Sequence, residues 1–132
     1  MNYNPTILSI GEAFVKIYYE KMNQGINHAM ELFHPNVLCT LGNESFQGSY
    51  NWLLKMVNAN TGKIEYRGLS LISHPISNYD LNGILINVTG FIKVNGYWGE
   101  MVINGAKFSE VFIIEKFNDN YLIKNYILKV QH

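Results

Sequence analysis

One cysteine, one arginine and three prolines are all that 132 residues hold of these types, and each scarcity excludes something. A lone cysteine, Cys39, leaves no internal disulfide to form and fits a reducing compartment. It lies in the apolar run Val37-Leu38-Cys39-Thr40-Leu41, where a small buried hydrophobe is its ordinary role. A catalytic thiol would need an activating base that the sequence does not locate. Arg67 is the single arginine, no Lys/Arg run exists, and the formal net charge is zero. The chain therefore lacks the basic patches and arginine forks that phosphate and nucleic-acid recognition use. No apolar run approaches the roughly 20 residues of a membrane-spanning helix. The start MNYNPTILSIGEAF has neither the basic opening nor the continuous apolar centre of a secretory signal, so a soluble intracellular protein is expected. His28 and His34 are six apart, which suits neither one helix face nor zinc-ligand spacing. Gly42, Gly48 and Gly62 read as turn glycines rather than a phosphate loop. No metal or cofactor is expected.

What the chain does have is apolar bulk: 48% hydrophobic and 14% aromatic residues, enough for one folded domain over residues 1–132. Ile7, Ile10, Phe14, Tyr18 and Met22 recur at helical spacing after Pro5, and Asn23-Gln24-Gly25 closes this first helix. A short second helix turns Met30 and Phe33 inward and ends at Pro35. Val37–Leu41 reads as a strand returning through Gly42-Asn43-Glu44 into Ser45–Gln47. Gly48-Ser49 then caps a third helix with Trp52, Leu53, Met56 and Val57 on one face. Strands follow at Lys63–Ser73 and Ile84–Val94, with a Gly-punctuated excursion, Asn95–Lys107, carrying Tyr97, Trp98 and Met101. The chain ends in a hairpin, Phe108–Val130, turning at Asn118-Asp119-Asn120. Both faces of that hairpin are partly apolar, so one packs on helices and the other meets a ligand, a partner or a second copy. Helices segregated ahead of a strand meander indicate an α+β fold whose antiparallel sheet curls around them.

This order, with the residues that mark it, resembles the nuclear transport factor 2 family from about Pro5 to Val130. The segment IGEAFVKIYYEKM is similar to the family's first helix, and Ser45-Phe46-Gln47-Gly48 to its F-x-G turn into the third. Val88-Thr89-Gly90, Phe108-Ser109-Glu110-Val111-Phe112 and Tyr121-Leu122-Ile123-Lys124-Asn125-Tyr126 resemble its last strands. The resemblance implies a cone of three helices in a strongly curved antiparallel sheet. It also implies a homodimer joined through outer sheet faces, and a non-enzymatic role in nucleocytoplasmic transport. The partners it implies are the GDP-bound small GTPase Ran and Phe-Gly nucleoporins, and the location cytoplasm and nucleus. Neither nucleic acid nor membrane insertion is expected.

Leu41, Phe46 and Trp98 are expected at the apolar mouth of the cavity that the resemblance implies, with Glu44 and Glu100 as its charges. Trp98 has a blander role open to it, in a longer hairpin tip folded onto the cone mouth. Ile7 occupies the place of the family's nucleoporin-contacting tryptophan. Phe91, Glu110, Phe112 and Tyr126 are the expected dimer contacts. The acidic rim of the family is depleted: Gly42 stands at one acidic position, and the long loop offers only Glu100. A dimerisation or mRNA-export scaffold for another peptide is one alternative. A ketosteroid-isomerase-like enzyme or carrier is the other, needing a general base and an oxyanion donor in an apolar pocket. Tyr18 and Tyr19 are the candidate donors, and His28, His34, Glu44 and Glu110 the candidate bases; core packing, helix-end and structural roles are the competing readings. A buried carboxylate bonded to Tyr18 or Tyr19 in a deep cavity would favour the enzyme.

Overall fold

The apolar stripes of the sequence become one layer of helices set against one face of a curled sheet. In the computed structural model, which describes residues 5–59, 64–77, 81–94 and 106–131, α1 spans Pro5–Gln24 and α2 spans Ile26–Ala29, followed by a 3-10 turn at Met30–Leu32. Strands β1 (Phe33–Leu41) and β2 (Glu44–Gln47) precede α3 (Ser49–Ala59). Strands β3 (Ile64–Pro75), β4 (Gly83–Val94), β5 (Ala106–Phe117) and β6 (Asn120–Gln131) complete the chain. The six strands run β2-β1-β6-β5-β4-β3. All neighbours pair antiparallel except β1 and β6, which are parallel. The expected all-antiparallel sheet is thus mixed at one ladder. The chain reaches β1 through α1 and α2 rather than through a hairpin, so no turn dictates its direction there.

The final hairpin folds as its turn residues require. Phe117 pairs with Asn120, leaving Asn118 and Asp119 as a two-residue turn with φ of 47° and 68°. Two consecutive left-handed residues match the right-handed twist of the flanking strands, and Asn and Asp tolerate that conformation best after glycine. The β5–β6 register shifts between Ile113 and Ile114, which pair with Asn125 and Ile123. That shift sets the faces of β6. Ile123, Tyr126 and Leu128 all point inward and Ile127 points out, 40% exposed. β1 likewise begins four residues before the expected strand, so Pro35 lies within it rather than closing a helix.

The core lies between helices and sheet. Phe14, Tyr18, Tyr19 and Met22 of α1, with Trp52 and Met56 of α3, pack on the alternating inner residues Ile84, Ile86 and Val88 of β4 and Phe108, Phe112 and Ile114 of β5. Trp52 stacks on Phe33 with ring centroids 4.1 Å apart. The expected helix stripe is therefore the buried stripe. At Gly11 the helix approaches β3 so closely that a Cβ would sit 1.9 Å from Ser73 Oγ. Glycine leaves room there, and any Cβ would force Ser73 to shift.

Candidate functional site

Three surfaces of this fold could carry function: the inner face of the sheet, a groove beside α1, and the outer face of the sheet. The inner face of β5 reads Ala106, Phe108, Glu110, Phe112, Ile114, all buried. Strand alternation alone therefore carries a carboxylate into the core. Glu110 is 1% exposed and is the one charged side chain in the core among the described residues. Tyr19 donates to Oε1 at 2.7 Å and Tyr18 to Oε2 at 3.1 Å, and the Tyr126 hydroxyl also donates to Oε2. No Lys, Arg or His pairs with it among the described residues. Burial pushes the Glu110 carboxyl above the ordinary carboxylate range, against the pull of the three phenols. Burial and then the facing Glu110 charge push the Tyr18, Tyr66 and Tyr126 phenols well up in turn.

The groove lies between α1 and the β5–β6 turn. Its walls are Ile10, Phe14 and Ile17 of α1, Leu32 of the 3-10 turn, and Tyr121 and Leu122 of β6; Glu31 and Asp119 are its acidic lining residues. It encloses about 540 Å³. Phe14 reaches from this groove to the core, where its ring meets Phe112 edge-on at 6.4 Å. Ile17 is 44% exposed, although it is a large aliphatic side chain in the middle of a helix.

Among the described residues, no helix covers the outer face of the sheet. One row across it reads Ile72, Asn87, Val111, Ile127 and Thr40 through successive strand pairings. The next reads His74, Leu85, Ile113, Asn125 and Leu38. Ile72, Leu38, Phe91 and Ile127 are among its exposed apolar side chains. A cleft of about 400 Å³ at one end is bounded by Phe91, Lys107, Ser109 and Lys129.

The expected site residues scatter over these surfaces. Leu41 and Phe46 are half-buried at the β1–β2 hairpin. Glu44 is exposed and engaged by Lys55 of α3, whose ammonium also lies 5.6 Å over the Phe46 ring. Glu44 is thus already partnered within the subunit. Trp98 and Glu100 lie outside the described residues. Ile7 is 3% exposed, so the expected nucleoporin contact there is corrected: its side chain is spent on the core. The dimer set divides. Phe91 is on the outer face, 42% exposed, whereas Glu110, Phe112 and Tyr126 fill the inner face and offer a second subunit no surface. The period of two governs this correction, because Glu110 and Phe112 share a phase with Phe108 and Ile114, and Phe91 does not share it.

Sequence reasoning missed the groove beside α1. Its signal was Ile17, an aliphatic residue outside the Phe14–Tyr18–Met22 stripe. It also left Glu110 among several candidate bases. The pattern F-S-E-V-F, with a carboxylate between two inward aromatics, was the sign of a buried acid.

Three helices packed inside a curled, unclosed six-stranded sheet define an α+β cone. The sequence model of the nuclear transport factor 2 (NTF2) domain matches residues 10–130, and the chain belongs to that family. Its fold is similar to the nuclear transport factor 2 of Cryptosporidium parvum, at 23% identity and a TM-score of 0.79 over 99% of both chains. It is also similar to a chain of the Candida albicans Mtr2–Mex67 M domain complex, at 9% identity and a TM-score of 0.76, covering 95% of this chain and 94% of that one. A ketosteroid isomerase-like protein of Erwinia carotovora atroseptica shares the fold at 12% identity, with a TM-score of 0.64 over 97% and 98% of the two chains. No curated protein matches the sequence.

Proposed function

We propose that this chain is a non-enzymatic, homodimeric binding protein of nucleocytoplasmic transport. In this reading it takes Phe-Gly nucleoporin segments in the groove beside α1 and the GDP form of Ran at the cone mouth. The carrying observation is the groove itself: an open apolar trough of about 540 Å³ between Ile10, Phe14, Ile17 and Leu122. That volume falls within the roughly 300–1,000 Å³ of ligand-sized clefts. A phenylalanine ring finds apolar walls there, and the flanking glycines let its backbone follow a shallow surface. Homodimerisation uses the outer row of Ile72, Val111 and Ile127, which no helix covers among the described residues. The protein then works in cytoplasm and nucleus. Ran-GDP is assigned to the mouth at Leu41 and Phe46 on the strength of the family resemblance. Calorimetry with Ran-GDP and with a Phe-Gly peptide tests both partners separately. Micromolar peptide binding lost on substitution of Ile17 is the expected result, and no heat with either partner at tens of micromolar would reject the transport role.

The enzyme reading has one observation in its favour, the acid–phenol cluster of Glu110, Tyr18 and Tyr19. A general base must reach its substrate. Glu110 is 1% exposed, and neither cleft described above touches it. Steroid isomerase turnover abolished by Glu110→Gln would favour catalysis over carriage.

A further inference from the structure

Glu110 is unusual because, among the described residues, nothing cationic faces it. The groups that do are Tyr18 and Tyr19 from α1, Tyr66 from β3 and Tyr126 from β6, all phenols. A buried ionised carboxylate without a cation is costly even when it is hydrogen-bonded, and a neutral carboxyl in the same place is not. We propose that Glu110 with the Tyr18, Tyr19 and Tyr126 phenols is a proton-binding centre that couples the seating of α1, and with it the adjoining groove, to pH.

The coupling has a physical path. Two of the three phenols sit on successive residues of α1, one turn beyond Phe14 and immediately after Ile17 of the groove wall. Tyr18 packs edge-on against Phe112 at 4.8 Å, and Phe112 packs against Phe14 at 6.4 Å. Glu110 and Phe112 are neighbours on the inner face of β5. With the proton bound, the carboxyl donates one hydrogen bond and accepts others, and α1 is held to the sheet by neutral bonds. When the proton leaves as pH rises, a bare negative charge remains between α1 and β5, and the helix must loosen to admit water.

The sign follows from burial. The folded carboxyl holds its proton to higher pH than the unfolded chain, whose glutamate titrates near the ordinary 4.5. This stabilisation is therefore complete below that value and is lost as pH rises toward the folded one. Over that window the folding equilibrium of the wild type weakens relative to Glu110→Gln by up to about tenfold per pH unit, the limit for one proton.

Denaturant melts of wild type and Glu110→Gln across pH 4 to 9 test the centre. Ratios that diverge with rising pH support it, and parallel curves overturn it. If the variant fails to fold, the wild type labelled with carboxyl-13C glutamate decides. One resonance still protonated above the others' titration supports the centre, and a full set of ordinary titrations overturns it. The groove coupling rests on the Phe-Gly reading above and is read separately. Wild-type affinity for a Phe-Gly peptide should fall with rising pH while that of Glu110→Gln stays flat. Equal profiles overturn the coupling. Absence of peptide binding to both proteins overturns the groove reading and with it this coupling, and the melts still judge the proton centre.

Discussion

Ile17→Asp separates binding from folding more cleanly than any other substitution in the groove. Ile17 is 44% exposed on the groove wall, so the free protein gains little from its side chain. Removing a half-exposed aliphatic group from a surface helix costs about 1 kcal/mol of stability, and aspartate is a slightly poorer helix former than isoleucine. A bound phenylalanine would cover what Ile17 leaves open, on the order of 50 Å², worth about 1 kcal/mol at about 25 cal/mol per Å². Aspartate forfeits that contact and must be desolvated beside the ring, adding about 1–3 kcal/mol. The sum is a loss of about 2–4 kcal/mol, or a Kd for a Phe-Gly peptide raised about thirtyfold to a thousandfold. Isothermal calorimetry measures it, with a thermal melt as the folding control. An unchanged Kd in a folded Ile17→Asp protein would falsify the placement of the peptide beside α1.

Ile127→Arg, in the outer row, is expected to convert a dimer to a monomer by light scattering at micromolar concentration, with far-UV circular dichroism unchanged. A dimer mass retained in this variant moves the interface off the outer face. Tyr126→Phe removes one of the three phenol donors to Glu110 and should lower stability by about 1–3 kcal/mol, read as the denaturant midpoint. Its loss should grow as pH rises, because the ionised carboxylate depends on that donor most. Gly11→Ala places a Cβ 1.9 Å from Ser73 Oγ and should cost about 1–3 kcal/mol by overpacking. Adding Ser73→Gly should recover most of it, and a double variant no more stable than the single one would refute the contact.

Much of the architecture was legible in the order of residues, because local chemistry decided it. Ile7, Phe14, Tyr18 and Met22 recur at helical spacing, and that stripe is the buried one. Asn118 and Asp119 take the left-handed conformations that a two-residue hairpin turn demands, and the inner phase of β4 follows its isoleucines and valine. Where the expectation failed, a non-local constraint had intervened. The register shift at Ile113 carried Ile123 and Tyr126 to the same face, which no period of two foretells. The parallel pairing of β1 with β6 joins segments far apart in the chain, Thr40 lying beside Ile127. Ile7 looked like a place for a partner's ring, and the tertiary fold spent it on the core.

The candidate sites divide in the same way. Sequence by itself determined that a carboxylate would stand between Phe108 and Phe112, and that two tyrosines would follow one another on the first helix. Only the tertiary structure decided that they meet. Hydrogen bonds between Glu110 and residues 91 and 92 positions away arise from how α1 crosses the curled sheet, and no spacing along the chain records that crossing. The groove is also a product of assembly. α1, the 3-10 turn and the last hairpin each contribute an apolar side chain that looks ordinary alone, and their packing leaves the trough between them.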